Sequence, residues 1–159
     1  MADLDTAIQQ YQEALDRTPA DHPEQASQFQ SLAIAYYNKY LALGAIADLE
    51  TAIQQCQKSL DRTPAGYPEQ ASRFQSLGNA YRSRYRALGA IADLETAIQL
   101  NQEAFNRTPA DCPEQASRFQ TLGIVYHDKY LALGVVADLE TAIQLSQDTL
   151  HRTAAHHPE

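Results

Sequence analysis

Side chains that can act as nucleophiles, bases or metal ligands are few in this chain, and their spacing assembles no reactive centre. The five histidines, His22, His127, His151, His156 and His157, make neither an HExxH pattern nor a Cys–His–acid set, and catalysis needs a nucleophile and a base held against each other. His151, His156 and His157 gather towards the end of the sequence and read as incidental, so no metal and no cofactor is expected. Cys56 and Cys112 form no CxxC pair, which argues against a disulfide frame or zinc site and suits a reducing, cytoplasmic setting. Cys56 reads as a small apolar filler, and Cys112, just before Pro113, as an exposed thiol. The most distinctive set is Arg73, Arg82, Arg84 and Arg86, because guanidinium groups suit two-pronged recognition of carboxylates.

Charge narrows the ligand. The formal net charge is −8, which argues against nucleic acid, since phosphate binding needs a basic field. Residues 47–91 nevertheless carry +2, against −4 for residues 2–46 and −3 for residues 92–136. No apolar run approaches the roughly 18 residues of a membrane helix, and no basic-then-apolar leader opens the chain. No membrane partner is expected.

The elements that must position these residues come from a repeat. After Met1 the chain divides into copies at 2–46, 47–91 and 92–136 and a partial copy at 137–159, with 25 of 45 positions identical in the three full copies. Such repetition disfavours an enzyme, whose centre is a single asymmetric constellation. It favours one repeat array, and the partial copy suggests a fragment of a longer multidomain protein. The spacing predicts two helices per copy and seven antiparallel helices in all, an all-α chain. The first helix carries Leu49, Ile53, Cys56 and Leu60 on one stripe, with Asp48 as its predicted N-cap, and stops near Thr63 before Pro64. The second starts at Pro68 and runs to Gly89, with Ala71, Phe74, Gly78, Tyr81, Tyr85 and Leu88 on its seam. Tyr36, Tyr40, Tyr81, Tyr85, Tyr126 and Tyr130 read as core.

The order Phe74-x2-Leu77-Gly78-x2-Tyr81, followed by Ala97, Ala104 and Pro109, resembles the tetratricopeptide repeat (TPR) signature, with Phe where the family most often has Trp. Phe29, Leu32, Ala33 and Tyr36, and Phe119, Leu122, Gly123 and Tyr126, repeat it. The period is 45 rather than about 34, which lengthens the helices. Ala33 stands in for a Gly, and the later aromatic position holds Tyr11, Cys56, Asn101 or Ser146. Long repeats of this kind also resemble those of large fungal signalling proteins. The resemblance implies a right-handed helical-repeat solenoid, non-enzymatic, acting as a protein–protein interaction scaffold that takes a peptide in its concave groove.

Between near-identical copies, the positions that change are the informative ones. One face of the second helix reads Ser27, Gln30, Ile34, Tyr37, Leu41, then Ser72, Gln75, Asn79, Arg82, Arg86, then Ser117, Gln120, Ile124, His127, Leu131. The resemblance places this face in the groove, with Asn38, Ser83 and Asp128 beside it. The expected peptide-binding residues are therefore Ile34, Tyr37, Asn38, Leu41, Gln75, Asn79, Arg82, Arg86, Ile124, His127, Asp128 and Leu131. Gln30, Gln75 and Gln120 stand where the family's carboxylate clamp would have lysine, so an internal peptide segment with central acidic residues is the better ligand. The competing role is self-assembly or spacing, with Leu4, Ile8 and Leu15 at one end and Leu139, Ile143 and Leu150 at the other facing absent helices. At either end the alternative is that the stripe packs adequately on its one neighbour.

Overall fold

A computed structural model describes the backbone of residues 2–156 and the side chains of residues 3–151. The histidines His156 and His157 lie outside the described side chains. Among the described residues seven helices follow one another: α1 (Ala2–Arg17), α2 (Glu24–Leu43), α3 (Ile46–Asp61), α4 (Glu69–Leu88), α5 (Ile91–Asn106), α6 (Glu114–Leu133) and α7 (Val136–His156). No strand occurs among the described residues.

Each boundary has a local cause. Pro23, Pro68 and Pro113 precede α2, α4 and α6 in helical geometry, where the missing N–H costs nothing because the first donors of a helix have no internal partner. The long helices end at Gly44, Gly89 and Gly134, whose φ values of 72, 75 and 68° place them in the left-handed region that L side chains avoid. Each glycine N–H caps the carbonyl four residues back, on Tyr40, Tyr85 and Tyr130. After Gly44 and Gly89 the next residue, Ala45 or Ala90, is extended, and in all three cases the following helix begins within two residues of the glycine. For that reason Asp48 is not the N-cap: Ala45 holds that place, and Asp48 is already in the first turn, donating its N–H to the Ala45 carbonyl at 3.1 Å.

The other turn is pinned by side chains. Thr18, Thr63 and Thr108 bond back to the carbonyls of Ala14, Ser59 and Ala104. Gln25 and Gln115 donate to the carbonyls of Thr18 and Thr108 across the turn. Arg62 and Arg107 then lie over the rings of Phe29 and Phe74, at 4.6 and 4.5 Å, while donating to Gln25 and Gln70.

Packing follows sequence order: each helix meets its neighbours in the chain, and α2 with α3, α4 with α5 and α6 with α7 form the most extensive pairs. Leu49, Leu77, Leu94, Leu122 and Val125 are fully buried. Ala33, Leu49, Ile53, Cys56, Leu77 and Ala80 form the central cluster. The tyrosines expected in the core are only half-buried; Tyr36, Tyr40, Tyr81 and Tyr85 pack against buried clusters. Leu88 leaves the seam, 57% exposed, because the helix terminates one residue later.

The two ends differ. Ile8 is 6% exposed and packs with Leu32 and Ala35, with Leu15 beside them, so the α1 stripe finds its cover on α2. On α7, Ile143 and Leu150 are 50% and 70% exposed, although the equivalent Ile53 is buried under α4.

Candidate functional site

Helices α2, α4 and α6 share one face, and their side chains meet across it in a constant register of 46 residues. Between α2 and α4, Arg73 donates to Ser27 Oγ at 3.3 Å, Gln30 to Ser76 Oγ at 2.9 Å, and the Tyr37 and Ser83 hydroxyls lie 2.8 Å apart. Between α4 and α6, Gln75 donates to Thr121 Oγ1 at 2.9 Å and Arg82 Nε to Asp128 Oδ2 at 2.5 Å. The sequence repeats every 45 residues, so a step of 46 means that a variable position in one copy meets the next position along in the following copy.

This register decides the state of the expected groove residues. Ile34, Leu41, Ile124 and Leu131 are exposed, at 51%, 62%, 40% and 67%, and Asn38, Asn79, Arg86 and His127 are exposed with them. Tyr37, Gln75, Arg82 and Asp128 are half-buried and bonded across the joints. The expected basic middle is therefore reduced. Arg82 is held by Asp128. Arg84 is held by both carboxylate oxygens of Asp93, at 2.9 and 2.6 Å, and that hydrogen bonding raises its pKa above the ordinary value.

Arg73 lies buried beneath the turn, bonded to Thr63 and to the Ser59 carbonyl. Its burial without an ion pair lowers its pKa, a tendency that the charge of Glu69 partly offsets. Arg86 alone of the four has no hydrogen-bond or ion-pair partner among the described residues. It lines a cleft of about 370 Å³ with Tyr85, Gly89, Asp128 and Leu131.

What the sequence reading missed are the joint partners Ser76 and Thr121, the bond that Ser83 makes with Tyr37, and the bond between Arg82 and Asp128. Positions 37, 82 and 127 and positions 38, 83 and 128 all vary between copies, but the sequence alone does not show that they meet 46 residues apart.

The two thiols also divide as their surroundings dictate. Burial pushes the Cys56 thiol up to about 12, consistent with a filler rather than a nucleophile. Cys112 donates to Glu114 Oε2 at 2.5 Å, which holds its pKa above the ordinary value. Among the described residues no group of three or more His, Cys, Asp and Glu side chains could hold a metal ion, and no helix is long and apolar enough to cross a membrane.

No family profile matches the chain, and no curated protein matches it. Solved structures do. A crystal structure of a variant of a Podospora anserina kinesin-light-chain-like protein with nearly identical TPR-like repeats superposes with a TM-score of 0.69 at 14% identity, covering 98% of this chain and 69% of that one. A second structure from Podospora anserina of the same description, at 12% identity and a TM-score of 0.43, covers 98% of this chain and 90% of that one. At such identity the first match speaks for architecture alone. Seven antiparallel helices, the 46-residue register and that superposition together make this chain an all-α solenoid of TPR-like helical repeats.

Proposed function

We propose that the chain is a non-enzymatic interaction module, and that the shared face of α2, α4 and α6 takes a peptide segment carrying apolar residues and at least one acidic residue. The observation that carries this reading is the placement of variation. On the shared face itself, three sets change between copies while Gln30, Gln75 and Gln120 stay the same: Ile34, Asn79 and Ile124; Tyr37, Arg82 and His127; and Leu41, Arg86 and Leu131. There they leave four aliphatic side chains, Ile34, Leu41, Ile124 and Leu131, exposed around the unpaired Arg86. Exposed apolar area with a central cation suits a ligand whose carboxylate meets the guanidinium and whose apolar side chains cover the aliphatic zones. Arg82 is satisfied by Asp128, so Arg86 bears the anion contact.

A positional-scanning peptide array on the wild type and on Arg86→Gln tests this. The wild type should select Asp or Glu together with Leu, Ile or Met, and Arg86→Gln should lose the acidic preference with its melting temperature unchanged. Binding should weaken as salt rises, since exposed charge pairs are screened over about 8 Å at physiological ionic strength. An array indifferent to acidic residues would defeat the reading.

A second reading, assembly through the end of the array, is favoured by the exposure of Ile143 and Leu150 on α7. Sedimentation over a concentration series separates it from the first. Self-association abolished by Ile143→Gln with Leu150→Gln would favour assembly.

A further inference from the structure

At the joint of α2 and α4 the shared face opens into a cavity of about 130 Å³. Ala52 and Cys56 of α3 form its floor, Ala33 and Ala80 its walls, and Ile34, Tyr37 and Asn79 its rim. Cavities of about 150 Å³ lined by aliphatic side chains take up benzene or xenon, so this one has room for a single branched aliphatic side chain. Gln30 also lines it. The Gln30 amide nitrogen is committed to Ser76 Oγ, but its carbonyl oxygen Oε1 is buried with no hydrogen-bond partner. A buried acceptor left unmade costs free energy that a ligand N–H would recover.

The next joint carries larger residues at two of the equivalent lining positions. There Asn101, 2% exposed, stands where Cys56 stands, and Val125, fully buried, where Ala80 stands. The small side chains of Cys56 and Ala80 leave room for the hollow between α2 and α4.

We infer that this cavity is the anchor site of the peptide-binding face: an aliphatic side chain of Val, Leu or Ile size enters between α2 and α4, and the backbone N–H of the bound segment donates to Gln30 Oε1. The inference rests on the proposed peptide-binding role and adds to it a register, with the aliphatic anchor at Ala80 and the acidic residue further along α4 at Arg86. Both sides of the amino-acid unit are matched, the apolar one by the walls and the polar one by the orphan acceptor.

The test uses two variants and two probes. Ala80→Val places in α4 the residue that α6 already carries at the equivalent position, so the fold should hold, as circular dichroism and thermal melting will show. Gln30→Leu removes the acceptor and keeps the hollow. Xenon, followed by amide chemical shifts at Ala33 and Ala80, should bind the wild type and Gln30→Leu but not Ala80→Val. The peptide array should show a Val, Leu or Ile preference at one position, and binding of those peptides should weaken about tenfold or more in Ala80→Val and also fall in Gln30→Leu.

Peptides that bind the wild type and Ala80→Val equally overturn the anchor while leaving the peptide-binding face intact. A wild type that binds no peptide overturns the face and the anchor together. Failure of xenon to enter the wild type overturns the hollow as an apolar receptor. If Ala80→Val melts far below the wild type, Cys56→Leu, which fills the same space from the floor, takes its place with the same expectations.

Discussion

The joint of α2 with α4 and the joint of α4 with α6 use one register and different chemistry. In the first, neutral hydroxyls meet at Tyr37 and Ser83, and Ala33 faces Cys56 across a small apolar hollow. In the second, Arg82 grips Asp128, and Gly78 lies so close to Asn101 that an added Cβ would stand 2.5 Å from Nδ2. The copies share most of their seam and the same helix boundaries, so these differences do not make the helices. They make each neighbour pair a matched set: a bulky or charged residue on one helix is met by its complement 46 residues later. Stability of a repeat stack is approximately a sum of repeat and interface terms. Two joints of unlike chemistry should therefore respond separately to mutation and to salt.

Leu77 sits on α4, which both joints share, and is 1% exposed. Leu77→Ala should weaken the whole array by about 2–5 kcal/mol, read from urea melts, and a loss under 1 kcal/mol would mean that the two joints do not depend on a common core.

The next effect separates the joints. Gly78→Ala should cost about 1–3 kcal/mol by overpacking against Asn101, whereas Gly123→Ala, whose Cβ would meet Ser146 Oγ only at 3.4 Å, should be near neutral. Adding Asn101→Cys to Gly78→Ala recreates the Ala33 and Cys56 pairing of the first joint and should restore stability. No rescue would show that the two joints are not interchangeable in this way.

Smaller effects distinguish the polar contacts. Arg82→Gln should cost about 1 kcal/mol and less at high salt. Tyr37→Phe should cost about 0.5–1.5 kcal/mol with no salt dependence. A shared salt response, measured by melting in low and high sodium chloride, would contradict the assigned chemistries. The last contrast is between the two thiols. With its thiol buried and held protonated up to about 12, Cys56 should resist alkylation at pH 8 while the more accessible Cys112 labels. Above the ordinary thiol range the unfolded chain loses the Cys56 proton first, so this group lowers stability as pH rises towards 12. Mass spectrometry of pulse-labelled protein reads the first effect, and alkaline melts the second.

Much of the fold was legible because each signal is local. The glycines at 44, 89 and 134 and the prolines at 23, 68 and 113 set the boundaries, and the stripe through Leu49, Ile53 and Cys56 named the buried face. The placement of Arg82 was not legible. Asp128 lies in another copy, and only the stagger of adjacent helices turns a 45-residue repeat into a 46-residue contact step. Asp48 misled for a related reason: its type suits a cap, but the glycine two places before Ile46 lets the helix begin earlier. The asymmetry of the ends depends on what lies beside each stripe, which no periodicity reports.

Amide chemical-shift mapping with a peptide that carries one Leu and one Asp tests the central claim most directly. Perturbations should fall on Ile34, Asn79, Arg86, Ile124 and Leu131, and leave outward residues such as Gln54 and Gln99 unmoved. Perturbations confined to Ile143 and Leu150 on α7, or spread without regard to face, would contradict it.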